Sequence, residues 1–192
     1  MKNQNYQAPQ IGSEAKLFKT LLCFIALIIC GVSCNQNKQS CCSTEEEAPK
    51  AKTEVVFMDY GANPTVLDID AFTTTNENFR TTLWTGTKLQ VTLMSIPVGG
   101  DIGLEVHPDT DQFLRIEDGE AKVMMGDSEE SLTFVKSAEK DFAIFVPAGK
   151  WHNLINTGDK PLKLYSIYSP VEHPHGAVHK TQKEAEEAEH AH

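Results

Sequence analysis

Residues 99–107 read GGDIGLEVH and residues 147–156 read PAGKWHNLIN, and these two stretches decide the fold. Each contains a single histidine, His107 or His152, close to glycines that tolerate the backbone angles of tight turns. Around them the chain alternates short apolar runs with Gly, Pro, Asp and Asn, a pattern typical of β-strands joined by turns. The sequence therefore predicts an all-β domain in which two histidine-bearing segments carry the chemistry.

The two stretches resemble the two sequence motifs of the cupin family. The first family pattern is a Gly, five residues, His-x-His, three or four residues, a Glu, six residues and a Gly; its places are held here by Gly99, Glu105, His107, Gln112 and Gly119. The second pattern is a Gly, five residues, Pro-x-Gly, two residues, His, three residues and Asn; its places are held by Asp141, Pro147, Gly149, His152 and Asn156. The resemblance implies a single jelly-roll β-barrel over residues 54–170.

The apolar runs support that architecture, because many short strands at even spacing are typical of sandwiches and barrels. Strands are predicted over residues 55–58, 65–67, 89–96, 112–116, 121–125, 132–135, 142–146, 151–155 and 162–168. The segment Glu117-Asp118-Gly119-Glu120 predicts a hairpin, since Asp-Gly tolerates positive φ angles. The C-terminal segment, residues 171–192, is expected to form a loop and a short helix that starts at a Thr181 cap and lies as a charged tail on the surface.

A divalent metal centre follows from the resemblance, with Glu105, His107, Gln112 and His152 as its ligands. Glu105 stands where the family usually has its first His, and Gln112 where it usually has its Glu; some cupins use Glu or Gln at such positions. Imidazole and carboxylate ligands together suit iron, manganese, nickel or zinc. One carboxylate beside a divalent ion leaves a net charge of about +1, which favours an anionic or enolisable substrate.

Other roles for these polar residues stay open. Glu105 could be a general base that does not bind the metal, and Gln112 could orient water or substrate. Asn156 is expected to tie down backbone. The cluster His173, His175 and His179 is interpreted as a loop lying over the barrel, with a second metal site as the alternative. Strand parity places a further set of side chains in the interior, namely Leu114, Ile116 and Leu154.

The N-terminus is typical of a bacterial export signal. Lys16 and Lys19 precede an apolar run that is too short to span a bilayer comfortably, and small residues then lead to Cys34. We interpret residues 1–33 as a lipoprotein-like signal peptide, Cys34 as the lipidated first residue and residues 34–53 as a flexible, disordered tether. The alternatives are an uncleaved signal anchor or ordinary secretion. All five cysteines precede residue 43, so no disulfide is expected in the barrel.

The composition restricts the kinds of molecule that the protein is expected to bind. A formal net charge of -10 without a Lys/Arg stripe argues against nucleic acid. The sequence predicts a small-molecule ligand, contact with a membrane only through the anchor at Cys34, and location in the cell envelope facing the periplasm. The resemblance is also compatible with a homodimer formed through edge strands. Three functions are weighed: an isomerase- or dioxygenase-like metal enzyme, a non-catalytic binding module for a metal or small molecule, and a structural jelly roll whose site is vestigial.

Overall fold

The computed structural model describes residues 54–189 of the chain. The predicted signal peptide, Cys34 and the tether lie outside these residues. Two helices and nine strands are present in the described part: α1 (Ile69–Thr75), β1 (Arg80–Thr85), β2 (Gln90–Ile96), β3 (Asp111–Asp118), β4 (Glu120–Gly126), β5 (Phe134–Glu139), β6 (Ala143–Val146), β7 (Trp151–Asn156), β8 (Leu162–Ser169), β9 (Val178–His179) and α2 (Gln182–Glu189). Neither helix between residues 54 and 189 is long or apolar enough to cross a bilayer.

The strands form two antiparallel sheets that close into the predicted barrel. One sheet has the strand order β6-β3-β8-β2-β1-β9, and the other has the order β5-β4-β7. The main apolar cluster takes side chains from both sheets, including Leu114, Ile116, Val123, Leu154 and Leu164. The expectation that Leu114, Ile116 and Leu154 lie in the interior is confirmed, since all three are fully buried. The all-β jelly-roll fold is therefore confirmed.

The turn at Gly119 joins the two sheets. β3 ends at Asp118 and β4 begins at Glu120, but β3 pairs with β6 and β8 while β4 pairs with β5 and β7. The predicted hairpin is therefore wrong, although the turn itself is present. Gly119 has a φ of 97°, and a Cβ there would lie 3.1 Å from the Cα of Leu162. Only glycine allows the chain to change sheets so close to β8.

The N-terminal part of the domain differs from the prediction. No strand forms over residues 55–58 or 65–67; instead the chain forms α1 and then β1, neither of which was predicted. Val55 and Leu67 pack against a second cluster built on Phe72, Leu83 and Leu93, whereas Val56, Met58 and Val66 are exposed. On β2, Leu93 belongs to this second cluster while its neighbour Met94 belongs to the main core. Each predicted run thus contributes one side chain to this cluster, and that contact needs no strand pairing.

The C-terminal helix is capped as the sequence predicts. The hydroxyl of Thr181 accepts a hydrogen bond from the backbone N–H of Glu184 (3.2 Å), and the Glu184 carboxylate accepts one from that of Lys180. The helix lies at the surface, as predicted, but it is docked on the barrel and is not a free tail. Ala185 is buried in the main core, and the carboxylate of Glu189 contacts the buried Arg80. A short helix with one small apolar residue on its inner side can still dock, because that residue allows close approach.

Candidate metal centre

The two sequence motifs meet where Glu105 lies against His152. An isolated antiparallel bridge joins these two residues: the N–H of Glu105 donates to the carbonyl of His152 (3.1 Å), and the reverse bond is 2.9 Å. The N–H of Gly149 in the second motif donates to the carbonyl of His107 (2.8 Å). These backbone bonds fix the loop of the first motif across β7, which carries His152.

Three of the predicted ligands converge at this crossing. One carboxylate oxygen of Glu105 lies 3.4 Å from Nε2 of His107 and 3.3 Å from Nε2 of His152. One ligand atom from each of the three residues lies within 4.8 Å of the other two, close enough for one ion to bind all three. Both histidines are buried, and His152 is 0% exposed. Glu105 and His107 lie together in a loop between β2 and β3.

Each imidazole is oriented by a hydrogen bond at its other nitrogen. Nδ1 of His107 donates to the carboxylate of Glu172 (3.0 Å), and Nδ1 of His152 donates to the backbone carbonyl of Lys150 (3.0 Å). Nε2 of each ring is buried and makes no hydrogen bond within the described residues. A histidine that donates from one nitrogen and turns the other to a carboxylate neighbour is in the arrangement that metal ligands adopt. The residues present therefore fit a divalent metal ion.

Gln112 lies on β3 and contacts Tyr168, which in turn packs against His107. Its amide nitrogen donates to the hydroxyls of Ser166 and Tyr168, both at 3.0 Å, and its carbonyl oxygen is buried and unpartnered among residues 54–189. The ring of Tyr168 packs edge-on against His107, with 5.6 Å between the ring centroids. Gln112 thus has a buried carbonyl oxygen without a partner, and its role as a ligand stays a prediction.

The electrostatics of the centre favour a cation. Burial opposes the charge on Glu105, but the imidazoles of His107 and His152 outweigh it and hold the pKa of this carboxyl well below its usual range. Burial also opposes a charge on His107, but the carboxylates of Glu105 and Glu172 raise its pKa to about 9. The carboxylates that stabilise a proton on His107 would equally stabilise a metal ion.

Asn156, the last residue of the second motif, holds backbone in place as expected. Its side-chain amide lies 2.9 Å from the carbonyl of Ile96, 3.1 Å from that of Pro97 and 2.9 Å from that of Lys160. Asp141, which replaces the leading Gly of the motif, has a φ of 70°. The backbone at this position is thus in the left-handed region that glycine adopts most easily.

A cavity of about 360 Å³ adjoins the centre and contains residues that the sequence analysis did not select. Its lining includes Arg80, Glu105, His107, Glu172, His173 and Glu189. The segment around His173 does reach the barrel, as the loop interpretation expected. No local pattern marks Arg80 or Glu172, because their partners are distant in sequence; Glu172 lies 65 residues from His107.

Fold and site together define a small β-barrel protein with a candidate metal centre. The Cupin domain family matches residues 92–168. The uncharacterized protein YrkC of Bacillus subtilis is 56% identical over 135 residues, which cover 70% of this chain and 73% of that protein. An uncharacterized protein of Acanthamoeba polyphaga mimivirus is 37% identical over 114 residues, covering 59% of this chain and 69% of that one. The crystal structure of BH2720 from Bacillus halodurans shares 55% identity with a TM-score of 0.67, covering 68% of this chain and 98% of that chain. The chain belongs to the cupin family.

Proposed function

We propose that this protein is a metal-dependent enzyme acting on a small anionic or polyhydroxy molecule, with isomerase- or dioxygenase-like chemistry. The observation that carries the proposal is the pair of buried, unpartnered Nε2 atoms on His107 and His152, both facing the Glu105 carboxylate. Gln112 completes the proposed ligand set. The proposed cofactor is iron, manganese, nickel or zinc, and such an ion, when bound, supplies Lewis acidity to a substrate oxygen.

The residues around the centre prepare the cavity for such a substrate. Burial raises the pKa of the Tyr168 hydroxyl to about 12, so this group stays protonated at neutral pH and can donate a hydrogen bond. The hydrogen bond and charge of His107 lower the pKa of Glu172, which therefore stays ionised and keeps the imidazole oriented. Arg80 adds a positive charge to the cavity wall. This positive charge favours a small, negatively charged ligand.

Elemental analysis of the purified full-length chain tests the proposal. We expect about one transition-metal ion per chain and its loss in the double variant His107→Ala, His152→Ala. The single variant His175→Ala is the control, because it removes an exposed histidine outside the centre. Conversion of candidate organic acids and sugars, with oxygen uptake followed in parallel, then tests catalysis. Metal retained in the double variant would refute the centre, and bound metal without turnover would favour the binding module.

We also propose that the protein is exported and lipid-anchored at Cys34 in the cell envelope, facing the periplasm. The support is the apolar run and the small residues that precede this cysteine. The variant Cys34→Ser should lose labelling by a fatty-acid analogue, and unchanged labelling would refute lipidation at this residue.

We further propose a homodimer formed through the edge strands. β5 and β6 each lie at the edge of a sheet and expose apolar side chains, namely Phe134, Val135 and Phe145, the last of them 70% exposed. Analytical ultracentrifugation should give the mass of two chains for the wild type and of one for Phe145→Lys. A monomeric wild type would refute the dimer.

A further inference from the structure

Arg80 is buried beside the metal centre and is only partly paired. It is 2% exposed on β1 and lines the cavity together with Glu105 and His107. Its Nη1 donates to a carboxylate oxygen of Glu189 (2.7 Å), while its Nε has no partner among the described residues. A guanidinium carries five N–H donors in a planar fork that matches two carboxylate oxygens, and the unpartnered Nε leaves part of this fork unused. Burying a charge that is incompletely paired is energetically unfavourable, and such a charge indicates a binding role.

Two histidines stand beside it. His173 and His179 line the same cavity, and one ring nitrogen of each, Nε2 of His173 and Nδ1 of His179, is buried and unpartnered within residues 54–189. The backbone of His173 is fixed from both sides by the side chain of Gln90, whose amide nitrogen donates to the His173 carbonyl (2.8 Å) and whose oxygen accepts from its N–H (2.8 Å). The cavity thus holds a cluster of unpartnered polar nitrogens around Arg80.

Glu189, which pairs with Arg80 in this structure, is held weakly. Glu189 lies in the last turn of α2, and its side chain is 50% exposed. A carboxylate there is disfavoured by the negative end of the helix dipole. The first turns of the helix are fixed by the Thr181 cap and by Ala185 in the core, whereas the last turn only covers the cavity. The Glu189 carboxylate can therefore leave Arg80 while the rest of the helix stays docked.

We propose that Arg80 anchors the carboxylate of a small organic acid, and that Glu189 occupies this position until the acid displaces it. The inference rests on the proposed function and adds the substrate class and a gate to it. The carboxylate of Glu189 shows how the acid would bind. It pairs with the guanidinium of Arg80 inside the cavity that Glu105 and His107 also line. The last turn of α2 then opens as the acid enters.

Binding to the metal-free, full-length chain tests the anchor, with malonate as the probe and inorganic phosphate as the comparison anion, each followed by isothermal titration calorimetry. Glu189→Gln should bind malonate at least about tenfold more tightly than the wild type, because the internal competitor is gone. Adding Arg80→Met to Glu189→Gln should remove this binding. Glu186→Gln is the matched control: it makes the same change on an exposed residue of the same helix and should bind malonate as the wild type does.

Equal affinities of the wild type and Glu189→Gln, or malonate binding that survives Arg80→Met, would overturn the proposal. Phosphate bound at least as tightly as malonate by Glu189→Gln would overturn the substrate class. Amide hydrogen exchange provides a second measurement that does not depend on the folding of the Arg80 variant: malonate should speed exchange in the last turn of α2 in the wild type, and no change would refute the gate. Because the protein is metal-free throughout, a failed metal analysis leaves this test unaffected.

Discussion

Glu172 orients a candidate metal ligand although it lies outside both sequence motifs. Its carboxylate accepts hydrogen bonds from Nδ1 of His107 (3.0 Å) and from the hydroxyl of Thr110 (2.9 Å), which together fix both its own orientation and that of the imidazole. Glu172→Gln keeps the shape but removes the negative charge, so we expect metal affinity to fall about 10- to 100-fold. Competition with a chromophoric chelator measures this, with the exposed Glu130→Gln as the control. Unchanged affinity would show that Glu172 does not support the centre.

Asp141 shows how a departure from the family pattern is accommodated. The backbone has a φ of 70° at this residue, and the side chain reaches Arg115 at the surface (2.7 Å). Asp141→Gly and Asp141→Ala both remove that contact. The left-handed backbone conformation is unstrained for glycine and strained for alanine. We expect Asp141→Ala to be less stable than Asp141→Gly by about 1 kcal/mol. Urea denaturation of the two variants gives the difference, and an equal or greater stability of the alanine variant would contradict the strain argument.

At the scale of the elements, Asn156 connects three backbone segments. It ends β7, and its amide is shared by the carbonyls of Ile96, Pro97 and Lys160, which belong to the end of β2 and to the loop before β8. Asn156→Ala would remove the amide that these three carbonyls share and should lower the free energy of unfolding by about 3 kcal/mol. The neighbouring, exposed Thr157→Ala should change it by less than about 0.5 kcal/mol. Chemical denaturation checks both values, and similar losses in the two variants would argue against this role.

The strands that the sequence predicts best are those with one buried face. In β3 and β8 buried and partly exposed residues alternate, so the apolar period of two is visible along the chain. β1 escapes prediction because Arg80 to Leu83 are buried without alternation and three of these four residues are polar, and α1 because its seven residues bury only Phe72 and Thr73. The turn at Gly119 is predicted by its dipeptide, but a dipeptide sets local backbone angles and cannot select the partner strand.

The residues of the site also differ in whether a local sequence pattern predicts them. Glu105, His107 and His152 can be predicted because each lies in a short motif whose spacing is visible in the sequence. Arg80, Glu172 and Glu189 cannot, since each acquires its role from a partner at least 65 residues away, through the closure of the barrel or the docking of α2. The hydrogen bonds that orient the ligands are therefore a property of the tertiary structure.

At the scale of the whole molecule, burial of a neutral histidine couples folding to pH. His173 is buried next to Arg80, with its ring packed edge-on against Tyr168 (5.0 Å between centroids). Burial, and then the positive charges of Arg80 and His107, outweigh the carboxylates of Glu105 and Glu172 and lower the pKa of His173 to about 3. The folded protein therefore keeps this ring neutral at pH values where the unfolded chain, with an ordinary pKa of about 6.5, takes up a proton.

Between about pH 6.5 and 3 the unfolded chain takes up a proton at His173 and the folded protein does not. The free energy of unfolding therefore falls with pH, by up to about 1.4 kcal/mol per pH unit. Above about pH 6.5 the ring is neutral in both states, so His173 adds no pH dependence there. We expect the stability advantage of metal-free wild type over His173→Gln to shrink by about 1.5 kcal/mol between pH 6.5 and 5. Urea denaturation at several pH values measures it, with His175→Gln as the control for removing one histidine. An advantage that stays constant or grows towards pH 5 would mean that the folded state accepts the proton, and hence that His173 is not held neutral beside Arg80.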